Sequence, residues 1–331
     1  MGAGCSRGQR EGQLVSTPHR IDVHFHIIPQ FYQDAVKAAG FGPARRAGYP
    51  PYSAELGVEL MDANGIATAI TSVAQPGVHF LDAAAGRTLA RRLNEHASEL
   101  TTRFPGRYGA FSIVPMKDIG DAVAEIEFCL DTLKHHGVCL FASYGEKFLG
   151  DPLFDPVMEA LNARRAVCFI HPTLHPTSRT LDINLPGFVM EYLFDTTRAA
   201  ANMIFSGTLE RYPDIRFILA HAGGTLPYFA WRLGATPQID PTLPQWPRET
   251  FVRALRHFWY DTALSCGATT MGALKTVADP TRILFGSDWP FVQAPLVAEE
   301  VATHEAPGLH SADERAAIDR GNALRLFPDL R

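Results

Sequence analysis

Eight short runs rich in β-branched and aromatic residues recur along the chain, at 21–27, 68–73, 109–114, 138–142, 167–170, 216–220, 258–262 and 282–285. Between them lie amphipathic stretches of helical period. This alternation restricts the fold more than any other feature, because strands joined through helices pair in parallel and are covered by those helices. Leu89, Leu93, Ala97 and Leu100 mark one helical face. Ile119, Val123, Ile126, Leu130 and Leu133 mark another, with Gly137 expected at its C′ position. Pro227 suits the first turn of a helix. Eight such units predict a (β/α)8 TIM barrel, whose chemistry sits at the C-terminal strand ends. A doubly wound open sheet is the competing architecture, but no GxGxxG-type fingerprint follows the first run. No internal repeat or low-complexity linker interrupts the pattern. Residues 19–331 therefore read as one barrel domain, preceded by a disordered leader over residues 1–18 rich in Gly, Ser, Gln and Arg.

The polar residues that end these runs carry the chemistry. In the first run, alternation puts His24 and His26 on one face and Ile21, Val23, Phe25 and Ile27 on the other, as an apolar face under a helix. Paired imidazoles form half of a first-row metal site. His171 ends the fifth run, His221 the sixth and Asp288 the eighth, so all five converge on one rim. Any one alone would read as structural, and Asp261 at the end of the seventh run is read that way. Together, three imidazoles and a carboxylate suit one divalent metal with an open position, zinc first and manganese second. His24, His26, His171 and Asp288 form that set, which leaves His221 to hydrogen-bond whatever fills the open position. The fourth run ends Leu140-Phe141-Ala142-Ser143, with no lysine to be carboxylated between two metals, and Lys147 lies too far along.

Two long connections, 29–52 and 175–196, are expected as pocket walls. The first carries Phe31, Tyr32, Phe41, Arg45, Arg46, Tyr49 and Tyr52; the second carries Phe188, Tyr192 and Phe194. Trp289 and Phe291, directly after Asp288, are further wall candidates, and the aromatics suit a flat organic substrate. The formal net charge of −5 makes no electrostatic case for nucleic acid or an anionic membrane surface. Cys129, Cys139 and Cys168 lie inside apolar runs, as reduced buried thiols do, and no run reaches transmembrane length, so a cytoplasmic location is expected. Met1-Gly2-Ala3-Gly4-Cys5-Ser6 matches an N-myristoylation pattern, but a disordered leader is the preferred reading.

These residues resemble a known family. His-x-His in the first run, His171-Pro172, His221-Ala222-Gly223-Gly224 and Gly286-Ser287-Asp288-Trp289-Pro290 are similar to the amidohydrolase superfamily. More narrowly, they resemble its decarboxylase branch, typified by aminocarboxymuconate semialdehyde decarboxylase. The resemblance runs from about residue 20 to residue 327, and residues 194–198 and 221–227 look closest to 6-methylsalicylate decarboxylases. It implies metal ligation by His24, His26, His171 and Asp288, with His221 acting on metal-bound water or on substrate. It also implies that Arg232 reaches a neighbouring subunit's site, in a homodimer or homotetramer, with a small aromatic carboxylic acid as substrate; Phe194, Trp289 and Phe291 are expected against that substrate from their place in loops near the rim. Two departures weigh against γ-resorcylate specificity, where Glu-x-His opens the first strand and a glutamate follows the sixth-strand histidine. Here those positions hold His24 and Gly224. The arginine that holds the substrate carboxylate in the muconate enzyme has no clear counterpart, Arg45 and Arg46 being nearby candidates.

The expected reaction is non-oxidative loss of CO2 from an ortho-hydroxy aromatic acid. Direct loss would leave an aryl anion, so the ring carbon is protonated first, with Asp288 as proton carrier and His221 at the phenolate oxygen. A metal-dependent hydrolase of a lactone or amide would use the same ligands, but the missing bridging lysine favours decarboxylation. A non-catalytic metal-binding protein would be expected to have lost a ligand or the base, and all five positions are filled.

Overall fold

The computed structural model describes residues 19–42 and 47–330. The expectations for the leader, for Arg45 and for Arg46 lie outside those residues. Eight strands, β1 Arg20–His26, β2 Ile66–Ser72, β3 Tyr108–Ile113, β4 Gly137–Phe141, β5 Val167–His171, β6 Arg216–Leu219, β7 Trp259–Asp261 and β8 Ile283–Leu284, pair in parallel and in sequence order. The ring closes through backbone bonds from Val23 N to Phe285 O (3.0 Å) and from His26 N to Trp289 O (2.7 Å). The barrel is the one the alternation predicts, and every strand falls within a few residues of its run.

The principal helices are α1 Gln30–Ala38, α2 Ala54–Ala63, α3 Ala83–Arg103, α4 Ile119–Glu127, α5 Asp155–Ala163, α6 Glu191–Phe205, α7 Leu226–Ala235, α8 Arg248–His257, α9 Ala268–Val277 and α10 Ala294–His304. On α3 the buried face includes Leu89, Leu93, Ala97 and Leu100, and Asp82 caps the helix by accepting from Ala85 N. Pro227 sits in the first turn of α7, where its missing N–H costs nothing. Both long connections contain helix: α1 lies in the first, and Tyr192 and Phe194 belong to α6 rather than to a loop.

Two local expectations fail for physical reasons. Gly137 does not close a helix: α4 runs into a wider turn over Phe128–Thr132, and Lys134 takes the left-handed conformation (φ 57°). Gly137 instead opens β4, where a Cβ would lie 2.4 Å from Val167 O. The second failure is in β1. The register against β2 shifts between Asp22 and Phe25, so the strict alternation breaks. Ile21 and Val23 join the inner cluster with Ile70, Phe111, Phe169 and Ile218, while Phe25 packs in the outer layer with the helices. His24 and His26 still share the inward face, but Ile21 and Val23 do not share Phe25's.

Arg20 ties the start of β1 to the far end of the chain. Its Nε donates to Asp319 Oδ1 (2.9 Å), its Nη1 to Asn64 O (2.8 Å), and it also pairs with Glu305. Among the described residues no helix is long and apolar enough to cross a membrane. Cys129, Cys139 and Cys168 are buried and unpaired, and burial pushes the Cys129 thiol up to about 12.

Candidate metal centre

Each histidine of the rim is held from behind. His24 Nδ1 donates to Asp261 Oδ2 at 2.8 Å, His171 Nδ1 to Pro172 O at 2.7 Å, and His221 Nδ1 to Ala263 O at 3.0 Å. His26 Nδ1 pairs with the Ser72 hydroxyl at 2.9 Å. With Nδ1 occupied, Nε2 is the atom left to face forward, as in metal-ligating histidines. The Nε2 atoms of His24 and His26 are 3.1 Å apart, and Asp288 Oδ1 lies 3.4 Å from the first and 3.0 Å from the second. The ligand atoms of His24, His26, His171 and Asp288 all fall within 4.8 Å of one another. Phe169 packs edge-on beneath His24 (ring centroids 4.9 Å) and floors the site.

The electrostatics call for positive charge at this point. Burial lowers His26 and holds His171 well below the ordinary imidazole range. Burial also works to lower His24, yet the Asp261 and Asp288 carboxylates outweigh it and raise that imidazole to about 10. For Asp288, burial would raise the carboxyl, and the charge and hydrogen bonds of His24 and His26 carry it well below the usual range instead. Lone pairs and a carboxylate converging on one point, each backed by a second partner, fit a divalent cation. A second group, His24, His221 and Asp261, is also close enough to hold an ion. There, however, the carboxylate is already spent: Oδ2 takes His24, and Oδ1 accepts His221 N (2.9 Å) and Ala263 N (3.0 Å). Asp261 orients two histidines, in keeping with a structural carboxylate.

Backbone strain gathers at the same rim. His221, Ala222 and Asp288 have φ of 54°, 56° and 57°, in the left-handed region that residues with side chains seldom adopt. Gly224 follows at φ 64°, where a Cβ would sit 2.2 Å from Leu193 O. Gly286 is needed between two site residues, since a Cβ there would lie 2.8 Å from His24 Cβ and 3.2 Å from Asp261 Cβ.

The site opens into a cavity of about 380 Å³, toward the small end of ligand pockets. His171, His221 and Asp288 face it. Phe188, Val189, Leu193, Leu264, Phe291 and Val292 give it apolar walls, and Gln75, Tyr192, Ser265 and Thr270 bring polar atoms. Among the described residues no lysine or arginine lines it. Phe291 takes its expected place, its ring 5.4 Å from that of His26. Trp289 does not: it turns away to stack on Phe25 (4.7 Å) beside Tyr52 (5.6 Å). The β8–β1 closure pairs Trp289 with Phe25 and so points the indole to the outer layer. Phe194 is half-buried on α6 beside Arg198 and stays off the cavity lining, and Arg232 is exposed on α7.

Sequence reasoning missed three contributors. Asp22 is buried, and its Oδ1 accepts His24 N (2.9 Å) and Ser287 N (3.2 Å), bracing both ends of the ligand set. Burial, only partly offset by those bonds, raises it to about 7. A carboxylate two residues before His24 in the same buried strand was its signal. Ser72 and Gln75 carried no signal beyond their place at the end of β2 and just after it.

The amidohydrolase model matches residues 21–328. The chain belongs to the amidohydrolase family. Among its amidohydrolase relatives, a 6-methylsalicylic acid decarboxylase of Aspergillus aculeatus is 38% identical, over 94% of this chain and 97% of that protein. A 6-methylsalicylic acid decarboxylase of Penicillium expansum is 36% identical over the same shares. The solved structure of a dihydroxybenzoic acid decarboxylase from Polaromonas sp., with bound manganese and 2-nitroresorcinol, superposes with a TM-score of 0.81 at 25% identity, covering 95% of this chain and 98% of that one.

Proposed function

We propose that this amidohydrolase is a metal-dependent, non-oxidative decarboxylase of an ortho-hydroxy aromatic acid of the 6-methylsalicylate type, a carboxy-lyase that releases CO2 and a phenol. The observation that carries this reading is the juxtaposition of a four-donor ligand set with a small, apolar-walled cavity, in a chain whose relatives at 36–38% identity are 6-methylsalicylic acid decarboxylases. His24, His26, His171 and Asp288 would hold one divalent cation, zinc first by the three-imidazole donor set, and it would supply positive charge to an electron-rich substrate oxygen.

The chain's own residues do the rest. His221, with Nδ1 committed to Ala263 O, turns Nε2 toward the ortho oxygen and steadies the charge that moves there. Asp288, ionised at rest, carries a solvent proton to the ring carbon that bears the carboxylate. The bond from that carbon to the carboxylate then breaks, its electron pair returns to the ring, and CO2 leaves, so one solvent proton is taken up per turnover. Phe291, Val292 and Leu193 keep water from the protonated ring.

The active unit is at least a homodimer. Tyr228 and Trp231 on α7, and Ile239 just beyond it, are 83%, 70% and 78% exposed, large apolar side chains that a subunit contact would cover. A second copy there would carry Arg232 toward the neighbouring cavity, which has no lysine or arginine of its own among the described residues.

The test is CO2 release from 6-methylsalicylate and salicylate, with para-hydroxybenzoate as control and lactone hydrolysis assayed alongside. Turnover of the ortho acids alone, with deuterium from D2O at the carbon that lost CO2, supports the reading. Equal turnover of the para isomer, or lactone hydrolysis alone, overturns it. Elemental analysis finding two metals per chain removes the single-metal assignment, and a fully active monomer removes the dimer.

A further inference from the structure

The connection after β2 turns through Ala74-Gln75-Pro76-Gly77, just beyond Ser72, whose hydroxyl backs His26. Gln75 is half-buried and lines the cavity close to the ligand set. Its Oε1 accepts the hydroxyl of Tyr192 at 2.6 Å. This bond decides which way the carboxamide faces. With oxygen committed to Tyr192, the Nε2 end is turned away from the phenol. Among the described residues it donates to nothing. A glutamine anchored in this way has already lost its side-chain freedom on folding and loses little more when it binds.

The rest of the cavity sharpens the question of what this amide serves. The substrate proposed above brings a carboxylate into a space with no lysine or arginine among its described lining residues. His221 is engaged at the ortho oxygen in that reading. The remaining neutral donors are the hydroxyls of Ser265 and Thr270 and the Gln75 amide, and only the amide is held by a buried partner with both its N–H groups unspent.

The geometry points to Gln75 as the residue that reads the substrate's carboxylate: Nε2 donates to a carboxylate oxygen, and Tyr192 is the positioning residue that keeps the amide turned inward. This rests on the decarboxylase reading for the identity of the acid, but the recognition itself can be measured separately.

The experiment compares wild type, Gln75→Leu, Gln75→Glu and Tyr192→Phe, all metal-loaded, by steady-state kinetics on salicylate and 6-methylsalicylate and by calorimetric binding of salicylate and catechol. Loss of the donor in Gln75→Leu raises KM by at least about tenfold and leaves kcat nearly unchanged. Salicylate binding weakens by the same factor, while catechol, which offers paired oxygens but no carboxylate, binds wild type and variant alike. Gln75→Glu sets one anion against another and raises KM further. Tyr192→Phe shows a smaller rise, because the amide is then free to turn. Metal content and melting temperature, which a purely structural role would move, stay at wild-type values in Gln75→Leu. An unchanged KM, or salicylate and catechol affinities that fall together, overturns the inference. A wild type that releases no CO2, with selective loss of salicylate binding in Gln75→Leu, overturns the decarboxylase reading and keeps this one; a wild type that does not bind salicylate overturns both.

Discussion

His24 and Asp261 stand 237 residues apart in the chain, and Nδ1 of the first donates to Oδ2 of the second across 2.8 Å with both side chains fully buried. The bond sets the histidine tautomer, so the candidate ligand set depends on a carboxylate whose two oxygens are spent on hydrogen bonds. Asp261→Asn, with its amide turned to Nδ1, places a donor there and drives the imidazole proton to Nε2. Metal affinity falls by roughly 10–100-fold, as measured by competition with a chromogenic chelator. An unchanged affinity would show that Asp261 only fills space.

Removing His221 separates activity from metal binding. His221→Asn keeps its metal, because the four ligands remain, and loses about 10²-fold or more in kcat. Metal analysis beside CO2 release checks both halves. A metal-free variant would move His221 into the ligand set.

Gly224 is where backbone and cavity wall meet. Gly224→Ala puts a methyl group into Leu193 O at a left-handed φ, so α6 must shift or the turn must change. The strain and clash together cost roughly 2 kcal/mol or more. A lower melting temperature and a raised KM report it, since Leu193 and Tyr192 line the cavity on that helix.

Acid unfolding has a named contributor in Asp319. Burial works to raise this carboxyl, but the hydrogen bond from His304 and the charge of Arg20 outweigh it and hold it at about 2, below the ordinary 3.8. A depressed folded value means that the stabilisation is fully present above the unfolded value and is lost as pH falls through the folded one. The window therefore runs from roughly pH 4 down to pH 2. Asp319→Asn lowers the melting temperature at pH 7, with about 3 kcal/mol lost by leaving Arg20 short of its buried partner. It also flattens the fall in melting temperature across that window. A parallel fall in both proteins would assign acid unfolding to other carboxylates.

The barrel and the candidate site were legible because both are written locally. Each strand is a short apolar run, and the candidate ligands His24, His26, His171 and Asp288, with His221 beside them, stand where chain direction alone puts them, at the C-terminal rim. Trp289 shows the limit. It follows Asp288 directly, and adjacency suggested a shared pocket, yet its pairing with Phe25 sends it to the outer layer. Gln75 shows the converse, an unremarkable turn residue given a role by a hydroxyl on a helix 117 residues away.

By itself the sequence determined the eightfold strand and helix alternation and the donors of the candidate metal site, because composition and period act over a few residues; of the two connections expected as walls, only 175–196 lines the cavity among the described residues. Only the tertiary structure decided which faces those residues present. Closing β8 onto β1 bonds Val23 to Phe285 and His26 to Trp289, and the register shift between Asp22 and Phe25 lets Val23 fill the barrel while His24 and His26 turn to the site. That shift belongs to the pairing with β2, and no local period within β1 contains it.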